Sequence, residues 1–364
     1  MSNIPSQKSD MKSNPLRLCL LGLVALTTFA CVIAASKGGG SPSQSKQVNL
    51  VSDVPQTSLL QDVNLINAWG ISFSSTSPFW LSANGTGMAE VYSVTNDSAG
   101  NPHVAKIGLE VAIPGTGSLT GQVCNKTTGF NGDLFIFASE DGTISGWRTN
   151  LAIAAEVLIY RSTAVYKGIA LVSTTTGPLL LAANFSEGKV DIYNGSMNLV
   201  GQYSDASAPA GYAPFNVQVA GGQVYVTFAK QDAAKHDPVT GAGNGLIDVF
   251  NPTTHTFSRF AAGSNAGGKL TAIDTPWGVA LAPANFGTHA NQLLVANHGN
   301  GTIMAFGSGK YIGLLSPGTG SYVINGLLGI SFGNGSGAGV PGILYYTAGP
   351  NSGGFHGLFG QIKP

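Results

Sequence analysis

Charged side chains are scarce in this chain. Asp, Glu, Lys and Arg make up 9% of its 364 residues, against roughly 25% in an average globular protein. The 17 basic and 17 acidic residues cancel, and no basic stripe runs along any segment. Because no cluster of Lys and Arg is available to neutralise phosphates, nucleic acid is not expected as a partner.

Cysteine is rarer still, at three residues. Cys19 and Cys31 lie in an apolar N-terminal stretch, which leaves Cys124 alone in the rest of the sequence. No internal disulfide is therefore expected there, and Cys124 is interpreted as a small buried residue rather than a reactive thiol. Stability then has to come from packing and hydrogen bonds.

Long helical periodicity is also missing. Apolar residues come in short continuous or alternating runs bounded by Gly, Asn, Pro and Ser, and glycine alone contributes 51 residues. Short apolar runs between turn residues are typical of β-strands. With hydrophobic residues at 43% of the chain, the sequence predicts a folded all-β protein rather than a disordered one.

The N-terminal segment has the layout of an export signal. Lys8, Lys12 and Arg17 precede an apolar stretch over residues 18–35, and small residues follow it. This order of basic, apolar and small residues is typical of a secretory signal peptide. We therefore predict export to the periplasm or beyond the cell, with residues 1–36 acting as a signal peptide or an anchor.

Three interpretations of this segment stay open. It is a cleaved signal peptide, a lipoprotein signal with Cys31 as the lipidated residue, or an uncleaved anchor, since about 18 apolar residues are just enough to cross a bilayer core of about 30 Å. The Gly- and Ser-rich residues 37–45 are predicted to form a flexible linker. Membrane contact is expected only through the N-terminus.

One pattern recurs six times in the rest of the chain. Each copy holds a short apolar run headed by Trp-Gly or a similar pair, then a second run, then a third that often ends in an aromatic residue. The copies begin near Trp69, Gly121, Lys167, Phe215, Trp277 and Leu328. Four short strands every ~50 residues make a β-propeller blade. We predict one six-bladed β-propeller over residues 46–364, with four strands in each blade.

The sixth copy contains only three runs. A strand-like segment at residues 46–54, ahead of the first copy, is predicted to supply the missing fourth strand. That pairing would close the ring and remove an open sheet edge.

The chain also resembles a family of exported bacterial propellers, some of which carry a C-terminal PEP-CTERM sorting tail. The resemblance covers residues 48–363 and rests on long strings such as LINAWGISFSSTSPFWLSANGTG, AKQDAAKHDPVTGAGNGLIDVF and LYYTAGPNSGGFHGLFGQI. It implies the fold and export but no particular chemistry. The sequence lacks the apolar span and basic cluster of that tail, so sorting by it is not expected.

More distantly, the blade pattern is similar to NHL-repeat and gluconolactonase-like six-bladed propellers. The second resemblance implies a divalent metal in the channel, held by carboxylates and amides at the heads of the inner strands. The matching positions here read Trp69, Gln122, Lys167, Asn216, Trp277 and Leu328. They include no carboxylate, whereas a hard cation prefers several oxygen ligands that usually include carboxylates. Lactonase-type hydrolysis is therefore not expected.

A ligand pocket is predicted at the mouth of the channel, where six inner strands converge. Two tryptophans would provide aromatic platforms and the amides a polar edge, which suits a sugar or a planar cofactor. The candidate residues are Trp69, Gln122, Asn216 and Trp277 at the mouth, with Asn297 and His298 on the rim. For the individual Asn residues, capping of a turn is the competing interpretation, and for the two tryptophans it is packing of the inner strands.

A second, weaker candidate is the long insertion at residues 230–245. Asp232, His236 and Asp237 offer imidazole and carboxylate ligands for a metal. Their spacing matches no standard calcium loop, so a solvated loop is the competing interpretation.

Two classes of function follow. In the first, the exported propeller is a binding or scaffold module for a small molecule or an envelope protein, without catalysis. In the second, it is a hydrolase or a cofactor-dependent oxidoreductase with its active site at the channel mouth. No standard catalytic or nucleotide-binding motif is present to decide between them, and the sequence identifies no cofactor.

Overall fold

The computed structural model describes residues 46–116, 118–350 and 355–364. The predicted signal segment (1–36) and linker (37–45) lie outside the described residues. The strands are β1 (Lys46–Ser52), β2 (Leu60–Gln61), β3 (Ala68–Ser72), β4 (Phe79–Ala83), β5 (Met88–Asn96), β6 (Pro102–Ala112), β7 (Leu119–Cys124), β8 (Phe135–Ser139), β9 (Thr143–Trp147), β10 (Glu156–Tyr160), β11 (Tyr166–Thr174), β12 (Gly177–Asn184), β13 (Lys189–Asn194), β14 (Leu199–Tyr203), β15 (Tyr212–Ala220), β16 (Gln223–Lys230), β17 (Leu246–Asn251), β18 (Thr256–Ala262), β19 (Pro276–Leu281), β20 (Leu293–Asn297), β21 (Ile303–Gly307), β22 (Lys310–Leu314), β23 (Leu327–Phe332), β24 (Leu344–Ala348) and β25 (Leu358–Lys363).

Four short 3-10 helices complete the described secondary structure: Phe130–Gly132, Thr149–Leu151, Ser264–Ala266 and Gly287–His289. Within the described ranges, no helix has the length and hydropathy needed to cross a membrane.

The strands form six sheets, one for each predicted copy. Blade 1 is β3–β6, blade 2 β7–β10, blade 3 β11–β14, blade 4 β15–β18, blade 5 β19–β22, and blade 6 contains β23–β25. The first strand of each blade contacts the first strands of both neighbouring blades, so the inner strands form a closed ring. The predicted six-bladed β-propeller with four-stranded blades is confirmed.

Blade 6 is built from both ends of the described chain. β1 pairs antiparallel with β25 from Lys46 opposite Lys363 to Ser52 opposite Leu358, and the two-residue β2 adds parallel to β1. Leu50 of β1 is fully buried in a cluster that joins blades 6 and 1.

The hydrophobic core is divided among the blade interfaces. Six apolar clusters each lie between two adjacent blades. Between blades 1 and 2, for example, the ring of Trp80 stacks on that of Phe135 with 4.1 Å between centroids. Every blade is therefore stabilised mainly by its two neighbours.

The inner strands share a local irregularity that positions the channel. In each blade the pairing of the first strand with the second shifts register near its start. Such a bulge changes the direction of the side chains at that point. The residues at this position, called the head residues below, are Trp69, Thr120, Lys167, Phe215, Trp277 and Leu328.

A glycine follows the head residue in five of the six blades, because the inner strands approach one another there too closely for a side chain. A Cβ on Gly70 would lie 2.7 Å from the carbonyl oxygen of Thr120, and one on Gly278 would lie 2.4 Å from that of Leu328. In blade 4 the position holds Asn216, whose Nδ2 donates to the carbonyl of Trp277 at 2.9 Å.

The third strands of three blades bury a carboxylate beside a basic residue. In blade 1, Glu90 is fully buried and lies 2.9 Å from Nζ of Lys106. The same ammonium group also contacts Asp62 and Glu110. Burial raises the pKa of Glu90 to about 7, and the opposing effect of Lys106, shared among three carboxylates, does not cancel it. In blade 4, burial likewise raises the pKa of Asp248 to about 7 beside Arg259.

We predict that Glu90→Gln becomes increasingly stable relative to the parent protein as the pH rises from about 4.5 to about 7. Glu90 titrates at 4.5 when unfolded and at about 7 when folded, so the folded parent holds a proton that the unfolded chain has lost in this window. The parent protein therefore loses stability over this pH range. The Glu90→Gln variant does not, because its amide side chain does not titrate. Paired thermal melts across this range measure the difference. A gap that stays constant or shrinks would show that Glu90 is ionised when folded.

We predict that Leu50→Ala lowers the free energy of unfolding by about 2–5 kcal/mol, as removal of a fully buried leucine side chain does elsewhere. The control is Val157→Ala on the outer strand β10, where the side chain is 54% exposed and a change within about 0.5 kcal/mol is expected. Chemical denaturation of both variants makes the comparison. Equal, small effects would contradict a role for β1 in the core of blade 6.

Candidate functional site

The head residues fill the middle of the channel. The ring of Trp69 contacts those of Trp277 and Phe215 edge-on, with centroids 5.9 and 6.1 Å apart. Phe185 and Leu328 belong to the same buried cluster. These five residues are called the channel plug below. The plug leaves one cavity on the side where the inner strands begin and another on the side where they end.

The cavity at the beginning of the inner strands, called the upper cavity, has a volume of about 760 Å3. Residues from five of the six blades, all except blade 3, line it. They are Asn67, Trp69, Asn84, Glu140, His236, Asp237, Pro238, Thr240, His298, Gly299, Asn325, Gly326 and Gly349. The cavity at the other end, called the lower cavity, has a volume of about 250 Å3.

A chain of hydrogen bonds runs around part of the upper cavity. Nδ2 of Asn67 donates to Oδ1 of Asn84 at 3.0 Å, and Nδ2 of Asn84 donates to Oε2 of Glu140 at 3.3 Å. The other oxygen of Glu140 accepts a short hydrogen bond from Nζ of Lys167. That ammonium group also lies 3.4 Å from Oδ1 of Asp237. The chain links four blades, because each partner comes from a different turn or strand of blades 1 to 4.

Lys167 is the charged head residue, and its side chain is fully buried. Its Nζ lies 5.5 Å from the ring centroid of Trp69 and 5.7 Å from that of Phe185. The positive charge of a buried ammonium group must be compensated by nearby groups. Here Glu140, Asp237 and the two aromatic faces compensate it.

Three potential metal ligands also meet here. Ligand atoms of Glu140, His236 and Asp237 all lie within 4.8 Å of one another. Burial raises the pKa of Asp237, but Lys167 and His236 outweigh it and hold that pKa below its usual value. Because the ammonium of Lys167 already contacts both carboxylates, it occupies the position that a divalent cation would need.

The predicted metal trio is only partly brought together. Oδ1 of Asp232 accepts from the backbone N–H groups of His236 and Asp237, at 2.8 and 3.3 Å, and so closes the 230–245 loop. Glu140, which comes from another blade, takes the place of Asp232 beside His236 and Asp237. A metal held by the head residues, as in gluconolactonase-like propellers, does not fit either, since none of those six side chains is a carboxylate.

Two nitrogen atoms in the wall of the upper cavity have no hydrogen-bond partner. They are Nε1 of Trp69 and Nδ1 of His298, both shielded from solvent. Burial lowers the pKa of His298, although its backbone contact with Leu327 opposes this. The imidazole is therefore neutral at pH 7. A neutral imidazole has one donor and one acceptor nitrogen, so Nδ1 can serve in either role according to the tautomer.

The six predicted ligand-binding residues do not share one cavity. Trp69 and His298 line the upper cavity. Gln122, Asn216 and Trp277 line the lower one. Asn297 is fully buried, where it accepts from the backbone N–H of Asp274 at 3.1 Å and donates to the carbonyl of Ala272 at 2.8 Å.

Gln122 and Asn216 lie in the lower cavity because they are not head residues. The register shift makes Thr120 and Phe215 the equivalents of Trp69, and this corrects the alignment used in the sequence analysis. Gln122 lies two positions farther along its strand, where Ile71 lies in blade 1.

Sequence reasoning missed the pairing of Lys167 with Glu140 and Asp237. The one sequence feature that pointed to this cluster was the position of Lys167 at the head of an inner strand. Its carboxylate partners follow β8 and β16, on two other blades, so no local spacing connects the three residues.

No protein-family model matches the chain. Two uncharacterized proteins of Acanthamoeba polyphaga mimivirus are each 29% identical to it. The first matches 78% of this chain and 72% of its own length, and the second 74% of each. These relatives are viral, so membership of the bacterial exported family stays a prediction.

Among solved structures, a protein of unknown function from Bacteroides thetaiotaomicron is similar over 88% of this chain and 76% of its own, with 9% identity and a TM-score of 0.52. Virginiamycin B lyase from Staphylococcus aureus matches over 88% of this chain and 99% of its own, with 9% identity and a TM-score of 0.49. No activity is carried over from either protein at these identities.

We predict that Lys167→Met creates a zinc site. Removing the ammonium leaves Glu140 and Asp237 without their buried partner, which destabilises the protein, and frees three ligand atoms of the kinds that Zn2+ accepts. Zinc at 100 times its Kd should restore about 2.7 kcal/mol, visible as a rise in Tm that EDTA reverses.

The control for this experiment is Lys126→Met, which removes an exposed lysine at the other mouth. It and the parent protein should show no zinc-dependent rise in Tm. Zinc binding by the parent as tight as by Lys167→Met would contradict the assignment of Lys167 as the internal cation.

Proposed function

We propose that this propeller is an exported binding protein that holds a small, uncharged, hydroxyl-rich ligand, such as a sugar, in the upper cavity. The observation that carries the proposal is the pair of unpartnered nitrogens, Nε1 of Trp69 and Nδ1 of His298, in two residues that line a cavity built from five blades. Buried polar groups without partners are rare in native proteins and call for an explanation.

The size and lining of the upper cavity support this proposal. Its volume of about 760 Å3 falls within the range of about 300–1,000 Å3 typical of small-molecule sites. Trp69, which is 7% exposed, supplies part of an aromatic ring, and Asn67, Asn84 and Asn325 supply amides. An aromatic surface beside fixed polar groups suits a ligand that has both apolar and hydroxyl-bearing faces.

The hydrogen-bonding inventory favours hydroxyl groups. The indole of Trp69 is a donor only, while Nδ1 of the neutral His298 ring is a donor or an acceptor according to the tautomer. A hydroxyl group can accept from the indole and can pair with Nδ1 in either tautomer. The carboxylates of Glu140 and Asp237 add further acceptors for hydroxyl hydrogens.

The charge of the cavity argues against an anionic ligand. Two carboxylates, Glu140 and Asp237, are compensated by the single ammonium of Lys167, while His298 is neutral. One negative charge is left, which disfavours phosphate or carboxylate ligands. Export of the protein, through its N-terminal segment, would place this cavity where free sugars and envelope glycans are encountered.

We predict that neutral oligosaccharides bind the folded domain and that Trp69→Phe weakens this binding about fivefold. Phenylalanine keeps an aromatic ring in the channel plug but removes the N–H donor, and one hydrogen bond is worth about 1 kcal/mol. An array of neutral and charged glycans identifies the ligand, and calorimetry then compares the variants.

Trp147→Phe is the matched control. Its indole Nε1 donates to the carbonyl of Ala152 in blade 2, away from the cavity, so sugar binding should be unchanged. Binding restricted to acidic glycans, or equal weakening by the two substitutions, would contradict the proposed site.

A further inference from the structure

We infer a second binding site in the lower cavity, for a small uncharged molecule that carries an amide group. It lies on the opposite side of the channel plug from the upper cavity and uses different residues. Gln122 and Trp277 both line it, and each has a buried polar atom without a partner. The two side chains come from blades 2 and 5.

The unpartnered atom of Gln122 is fixed as an acceptor. Its Nε2 donates to the carbonyl oxygens of Gly70 at 3.0 Å and Trp80 at 2.7 Å. Reversing the amide would place Oε1 against these two carbonyls, so the orientation is determined. Oε1 is left without a donor, in a residue that is only 7% exposed.

The unpartnered atom of Trp277 is a donor. The residue is 4% exposed, and its Nε1 has no acceptor. Its backbone is held by Asn216, which donates to the carbonyl of Trp277 at 2.9 Å. The ring is supported by the edge-on contact with Trp69. The side chain that carries this N–H group is therefore fixed on both sides.

These two atoms define the class of ligand. A carboxylate has acceptors only and would leave Oε1 of Gln122 unpaired, whereas an ammonium has donors only and would leave the indole of Trp277 unpaired. An uncharged group with both a donor and an acceptor can satisfy both, and an amide carries them on separate atoms, whereas a single hydroxyl group carries both on one oxygen. Lys126 is the one charged residue of the lining and is exposed, so the wall itself offers no buried countercharge.

The size of the cavity limits the ligand to a small one. Its volume of about 250 Å3 is below the range of about 300–1,000 Å3 for drug-sized ligands. Apolar side chains including Ile71, Ile169 and Val217 make up much of the wall. A compact apolar body with one amide group fits this description, and benzamide is a suitable probe.

The experiment compares three probes of similar size on the parent protein. Benzamide, benzoate and benzylammonium are titrated into protein labelled with 15N-tryptophan, and the four indole N–H resonances are followed by NMR. We expect benzamide to move the Trp277 resonance and to bind at least tenfold more tightly than either ion. Trp277→Phe identifies that resonance by its loss and should weaken benzamide binding about fivefold, since one hydrogen bond is worth about 1 kcal/mol.

Ile312→Ala, an exposed residue of β22 in blade 5, is the control and should bind benzamide as the parent does. The inference is overturned if either ion binds as tightly as benzamide, or if benzamide leaves the Trp277 resonance unmoved up to its solubility limit. The three-probe comparison needs no variant, so the test stands even if Trp277→Phe does not fold.

Discussion

The close approach of six inner strands around one axis is the constraint on which the rest of this structure depends. Five glycines satisfy it, since a Cβ on Gly121 would lie 2.7 Å from the Cα of Gly168. The bulge at the same point directs the preceding head residue into the channel. Close strand contact and a filled channel are therefore two consequences of one repeated Trp-Gly-like pair, and they fix where a cavity can exist.

The chemistry of the channel arises where the repeat is least regular. Aromatic or aliphatic head residues in blades 1, 4, 5 and 6 form the plug together with Phe185, whereas the head residues of blades 2 and 3 are Thr120 and Lys167. Thr120 is satisfied by backbone carbonyls of Ala138 and Tyr166. Lys167 needs carboxylates, and these gather at the upper cavity. The lower cavity receives no such charge and is lined by amides and apolar side chains instead.

The fold could be predicted from the sequence because each blade repeats local signals, and six copies of them are visible. The candidate site could be predicted only in part. Trp69 and His298 lie in the upper cavity, but Gln122 was aligned with Trp69, although it lies two positions farther along its strand, because the register shift that defines the head position is invisible in the sequence. The contacts of Lys167 with Glu140 and Asp237 join three blades, so only the closed ring brings them together.

A crystal structure of the folded domain with a bound neutral sugar tests the central claim most directly. We predict a sugar oxygen within about 2.7–3.2 Å of Nε1 of Trp69, a hydroxyl group hydrogen-bonded to Nδ1 of His298, and the ion pair of Lys167 with Glu140 intact. A sugar bound on the outer blades or in the lower cavity, with both nitrogens still unpartnered, would contradict the account.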